Sequence, residues 1–121
     1  MQNNKKKGDW GEELAVEFLK EKGYLILERN WTFLKLEIDI IAQIGDTLVF
    51  VEVKTRANEE HGDPEDGVTL KKQRFLIKAA NYYILEKDLH NESRFDIVTV
   101  LKENNKTIIK HLADAFYPIA K

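Results

Sequence analysis

Residues 37–54 read EIDIIAQIGDTLVFVEVK, and the reading of this stretch decides the fold. Two β-forming runs, Glu37–Gln43 and Thr47–Thr55, flank Gly45-Asp46, a dipeptide suited to a hairpin turn. A two-residue loop pairs Ile44 with Thr47, so opposed residues carry numbers summing to 91, and a four-residue loop gives the same sum. Asp39 then faces Glu52, Glu37 faces Lys54 and Ile41 faces Phe50, all on one side of the ribbon. Ile38, Ile40, Val49, Val51 and Val53 point to the other side. A three-residue loop would instead place Asp39 and Glu52 on different faces, so the inference depends on turn type.

With that register, two carboxylates oppose each other at a Cβ separation of roughly 4.5 to 5.5 Å. Unit charges about 4 Å apart repel by about 4 kcal/mol at an effective dielectric near 20, so one acid takes a proton or a cation lies between them. Oxygen donors beside Lys54, in a chain without cysteine, favour Mg²⁺ or Mn²⁺ over zinc. Such a cation keeps coordination positions for water and phosphate oxygens, the equipment of phosphodiester hydrolysis. The plainer alternative is an ordinary cross-strand ion pair, Glu37 with Lys54, and Glu52 in the same surface network. Phe50 and Ile41 share the face with these charges, which argues for a partly buried site.

Outward from the hairpin, Trp10, Leu14, Ala15, Phe18 and Leu19 recur at helical spacing, predicting a helix over Asp9–Glu21 stopped by Gly23. Tyr24–Phe33 reads as a strand. Arg56–Gly67, with its glycines, Pro64 and His61, reads as a loop of about a dozen residues. A second helix is expected from a Thr69 cap to about Lys87, with Phe75, Leu76, Ala79, Ala80, Tyr83 and Ile84 as its apolar stripe. Strands follow at Arg94–Leu101 and Thr107–Leu112. The order α-β-β-β-α-β-β predicts an α/β fold, a mixed sheet flanked by helices.

The 121 residues, 43% hydrophobic and 33% charged, fit one domain spanning 1–121. Absent cysteine excludes disulfide frameworks, thiolate metal sites and cysteine nucleophiles. No apolar run approaches membrane-spanning length, so the expectation is a cytoplasmic protein with no membrane partner. The formal charge of −2 gives no bulk attraction to phosphate, so any nucleic-acid site must be local. Local patches are Lys5–Lys7 and the cluster Lys71, Lys72, Arg74 and Lys78. Trp10 and Trp31 read as core rather than as base-stacking platforms. His90 and His111 carry no signal.

Ile38-Asp39, followed thirteen positions later by Glu52-Val53-Lys54, resembles the PD-(D/E)XK signature of the restriction-endonuclease-like superfamily. Further motifs, Gly8-Asp9-Trp10-Gly11-Glu12, Arg29-Asn30-Trp31, Glu37 to Ala42, Phe50 to Arg56, Lys72-Gln73-Arg74, Arg94-Phe95-Asp96 and Ala115-Phe116, follow in order as in the bacterial YraN family of predicted endonucleases. That family is in turn similar to archaeal Holliday-junction resolvases. The resemblance implies a restriction-endonuclease-like core of α-β-β-β-α-β order and an Mg²⁺-dependent nuclease, with Mn²⁺ as substitute. Asp39, Glu52 and the carbonyl of Val53 would hold the metal, with Glu12 as accessory acid. Lys54 would serve the attacking water. Lys72 and Gln73 would touch DNA backbone phosphate. Arg74 and Arg56 are further phosphate candidates, although Arg56 also suits the end of a strand. Arg94 and Asp96 read either as part of that resemblance or as a structural pair.

Leu36 departs from the family, which usually has Gly there. A resolvase-like role on branched DNA would require a symmetric homodimer. The competing readings are a non-catalytic nucleic-acid-binding module retaining the fold and a protein-interaction module.

Overall fold

The computed structural model describes residues 3–57 and 68–116, with side chains for residues 10–56 and 68–116. The helical spacing of Leu14, Ala15, Phe18 and Leu19 produces α1, Asn3–Glu21, which begins six residues before the expected Asp9. It ends where Gly23, at φ 95°, takes the left-handed turn that lets its N–H reach the Lys20 carbonyl and the Tyr24 N–H reach that of Leu19. Then come β1 (Leu25–Phe33), β2 (Leu36–Ile44) and β3 (Thr47–Ala57). Arg56 therefore lies in a strand and not in the expected loop; the rest of that loop, His61 included, lies outside the described residues. Helix α2 (Leu70–Glu86) starts at Thr69, whose hydroxyl accepts from the Lys72 N–H as a helix cap. The last described elements are β4 (Glu92–Glu103) and β5 (Lys106–Phe116), joined through Asn104 and Asn105, both at positive φ.

The five strands lie in the order β1-β2-β3-β4-β5. Every neighbouring pair is antiparallel except β3 and β4, which are parallel because α2 carries the chain across between them. This mixed α/β sheet with two helices is consistent with the expected restriction-endonuclease-like core. Ala15, Val16 and Leu19 of α1 cover one face, on Ile40, Ala42, Val49, Val51, Val98 and Val100. Leu76, Ala79, Ala80 and Tyr83 of α2 cover the other, with Ile41, Leu48, Phe50 and Ile97. Among the described residues no helix is long and apolar enough to cross a membrane.

The hairpin register is the expected one from Ile44–Thr47 to Ile40–Val51, where the pairing ends. Beyond it two expectations fail. Ile38 packs with Ile41 and Phe50 on the α2 side, not with Ile40 on the α1 side, so the period of two breaks at Asp39. On the neighbouring strand, Asn30 at φ 52° lies between the pairs Arg29–Ile40 and Trp31–Ile38, opposite Asp39. The left-handed residue turns β1 and the strand beside it turns with it. Asp39 and Glu52 are thus not a laddered cross-strand pair, nor are Glu37 and Lys54.

Two sequence-derived core assignments also change. Phe75 is 41% exposed and Trp10 is 36% exposed, with the Lys102 ammonium 5.8 Å from the Trp10 ring centroid. Trp31, half-buried, does pack on the α2-side core as expected, and it also stacks with Phe33.

Candidate metal centre

Where the ladder between β2 and β3 stops, Asp39 turns into the fork and its Oδ2 accepts the Val53 N–H at 2.8 Å. A backbone donor that would have paired in the ladder is thereby satisfied by a side chain. Helix α1 contributes Glu12 and β2 contributes Glu37. One carboxylate oxygen from each of Glu12, Glu37 and Asp39 lies within 4.8 Å of the others. Asn30 steadies this cluster: its Nδ2 lies 3.0 Å from both oxygens of Glu12 and 2.7 Å from Oε2 of Glu37. Arg29 adds positive charge at the rim, 3.9 Å from Glu12 and 3.0 Å from Glu13. Gly11 sets the approach of α1, because a Cβ there would run into the Thr55 hydroxyl on β3.

The α2 side of the fork holds the cationic half. Glu52 is buried and its Oε2 is shared by Lys72 of α2 at 3.2 Å and Lys54 at 3.5 Å. Thr99 lies beside Lys54 in the parallel register, and its Oγ1 is a buried side-chain atom with no hydrogen-bond partner among the described residues. Burial pushes the Asp39 carboxyl up to about 7, with the Glu52, Glu12 and Glu37 charges adding to the rise and the Val53 N–H opposing it. Asp39 thus sits half-buried in the fork under the charges of Glu52, Glu12 and Glu37.

The sequence-predicted residues distribute as follows. Asp39 and Glu12 meet directly, with Glu52 close enough to act on Asp39 through its charge. Lys54 and Lys72 meet on Glu52, while Val53 reaches Asp39 through its N–H. Gln73 donates to the Val68 carbonyl, closing the start of α2. Arg74 is exposed and Arg56 is half-buried near the end of β3.

Two participants escaped the sequence reading. Glu37 was assigned to Lys54 by a register that stops short of it. Asn30 had a legible signal, since asparagine is among the side chains that accept left-handed backbone, but nothing fixed where the bend would fall.

A second polar cluster sits on the α1 face. Asp96, buried on β4, accepts from Arg94 Nε and Nη2 at 3.0 Å each and from the Asp114 N–H at 2.9 Å, and lies 2.7 Å from His111 Nε2. Arg94 also donates to the Tyr24 hydroxyl at 2.7 Å. Burial raises the Asp96 carboxyl, but the His111, Arg94 and Asp114 hydrogen bonds outweigh it and hold the group below its ordinary value. Arg94 and Asp96 do form an ion pair, as one of the two readings had it. His111, which carried no signal, is its principal partner.

Residues 11–100, a span that holds Glu12, Asn30, Glu37, Asp39, Glu52, Lys54 and Lys72, match the model of the Uncharacterised protein family UPF0102. The chain belongs to the UPF0102 family. A UPF0102 protein of Flavobacterium psychrophilum is 54% identical over 110 residues, covering 91% of this chain and 92% of the relative. One from Christiangramia forsetii is 49% identical with the same coverage, and one from Clostridioides difficile is 44% identical over 94% of this chain and 99% of its own length. Membership in the YraN family, expected from the motifs, is supported by these UPF0102 matches.

Proposed function

We propose that this UPF0102 chain is a nuclease that hydrolyses DNA phosphodiester bonds with the help of Mg²⁺ or Mn²⁺. The observation that carries this reading is the convergence of Glu12, Glu37 and Asp39 in a fork whose opposite side presents Lys54 and Lys72. The donor set fits a hard divalent cation: it is all oxygen, it draws three carboxylates into one spot, and burial together with the neighbouring Glu52, Glu12 and Glu37 charges raises Asp39 to about 7. Asp39 would be the central ligand, with Glu12 and Glu37 beside it and Glu52 and the Val53 carbonyl as the ligands implied by the PD-(D/E)XK resemblance. A cation bound there supplies charge neutralisation at the scissile phosphate and a more acidic water.

The chain's own residues do the rest. Lys54, held by Glu52, would hydrogen-bond the attacking water and offset charge on the phosphate. Asn30 keeps Glu12 and Glu37 turned inward, so that the acids are in place before substrate arrives. Lys72, Arg74 and Arg56 would meet backbone phosphates, where they position the strand without reading its sequence. In-line attack with a 3′-oxygen leaving group gives 5′-phosphate ends. A branched-DNA substrate and a homodimer belong to the same reading.

The test is cleavage of labelled linear, nicked and four-way-junction DNA with Mg²⁺, with Mn²⁺ and with chelator. Metal-dependent cleavage that Lys54→Ala abolishes while largely sparing DNA affinity is the expected result. Cleavage indifferent to chelator, or undiminished in Lys54→Ala, would overturn the assignment.

A further inference from the structure

The face of α2 turned toward the β1 edge carries Lys71, Phe75, Lys78 and Tyr82, at successive spacings of four, three and four residues, and all four are exposed. Phe75 and Tyr82 are 41% and 44% exposed, and the Lys71 ammonium lies 5.9 Å from the Phe75 ring centroid. The stripe continues off the helix. The Tyr82 ring stacks on Phe33 of β1, centroids 4.3 Å apart and planes 25° apart. Phe33 in turn lies nearly parallel to Trp31, 7° between planes and 6.5 Å between centroids. Along the chain, both ends of this track are next to residues of the candidate metal centre: Lys71 precedes Lys72, which is paired with Glu52, and Trp31 follows Asn30, which is bonded to Glu12 and Glu37.

Leu34, beyond Phe33 at the β1–β2 turn, is 77% exposed at φ 58°. A leucine in left-handed backbone is strained, and here it leaves an apolar side chain exposed at the turn that follows Phe33.

We infer that this track binds an unpaired nucleic-acid strand, its bases stacking on Tyr82 and Phe33 against Leu34 and its phosphates meeting Lys71 and Lys78. Alternating aromatic and basic side chains is the arrangement that single-stranded nucleic acid selects, since every base has a face to stack and every linkage a charge. An apolar protein partner would leave the two lysines without a counterpart, and a duplex keeps its bases inside its own stack. The inference rests on the nuclease reading and narrows its substrate to DNA with an unpaired segment beside the scissile bond.

The experiment is fluorescence anisotropy of a labelled 20-residue oligo(dT), and of a blunt duplex of equal length, titrated with the full chain in chelator at low salt. Chelator makes the readout independent of the metal centre, so failure of cleavage and failure of the track are distinguishable. Tyr82→Ala is expected to weaken oligo(dT) binding about tenfold while changing duplex binding little, and Tyr82→Phe to restore it. Leu34→Gly relieves the backbone strain and should raise the melting temperature while weakening the oligonucleotide about threefold, a combination a structural defect cannot give. Equal losses on oligo(dT) and duplex, or no loss on either, would overturn the inference. So would sedimentation showing a wild-type dimer that Tyr82→Ala splits without altering oligonucleotide affinity, which would assign the face to a second copy of the chain.

Discussion

At the scale of single residues, Asp39 ties the candidate site to a measurable pH dependence. Its carboxyl is raised to about 7, so between its ordinary 3.8 and that value the folded chain holds a proton that the unfolded chain has released. Stability contributed by this group is therefore present at low pH and lost as pH rises through about 7. In chelator, melting curves between pH 4.5 and 7.5 should show wild type losing stability on the alkaline side relative to Asp39→Asn, which keeps an oxygen to accept the Val53 N–H but carries no charge. Parallel profiles for the two proteins would show that burial and the neighbouring acids do not raise the Asp39 carboxyl. Much of this was legible: the hairpin register brought Asp39 to the Glu52 end of the ribbon. What was not legible was the strand rotation at Asn30 and Asp39, because left-handed backbone on one strand moves side chains on the next and no local pattern on either announces it.

At the scale of elements, close packing of α1 on β3 decides whether Glu12 reaches the fork. Gly11→Ala would put a methyl group onto the Thr55 hydroxyl, and the helix would have to lift or shift. The expected cost is about 1 to 3 kcal/mol in chemical denaturation, with divalent-ion binding falling further than stability alone explains because Glu12 moves with its helix. Gly11→Ala that binds the ion as wild type does would mean that Glu12 is dispensable. The Thr69 cap, the Gly23 stop and the Gly45-Asp46 turn were all readable, since each rests on a residue with a local conformational reason. The expected stripe of α2 held Leu76, Ala79, Ala80 and Tyr83, which the helix does bury, but also Phe75, which is left exposed, since spacing alone does not fix how wide the buried stripe is.

Across the whole molecule, one sheet holds the acidic cluster at the β2–β3 fork and a buried polar anchor at β4–β5. Asp96 binds Arg94 on its own strand and His111 and the Asp114 N–H on β5, where Asp114 sits at φ 57°. Asp96→Ala would leave the Arg94 charge without its buried partner, and a loss of about 3 kcal/mol or more is expected. Hydrogen exchange should show β5 opening first; protection lost evenly over the sheet would contradict its role as the anchor of that strand. The order of elements was legible from hydrophobic periodicity, and the parallel β3–β4 pairing follows once α2 is placed between them. The Asp96 cluster was only half legible, as nothing local to His111 points to a partner fifteen residues away.

The central claim is that the fork is a divalent-cation site. Its most direct test is calorimetric titration of Mn²⁺ into the purified chain at pH 8, beside an Asp39→Asn, Glu37→Gln double variant. One ion bound per wild-type chain and none by the folded double variant is the predicted result. Equal heats from the two proteins would place any bound ion elsewhere and contradict the account.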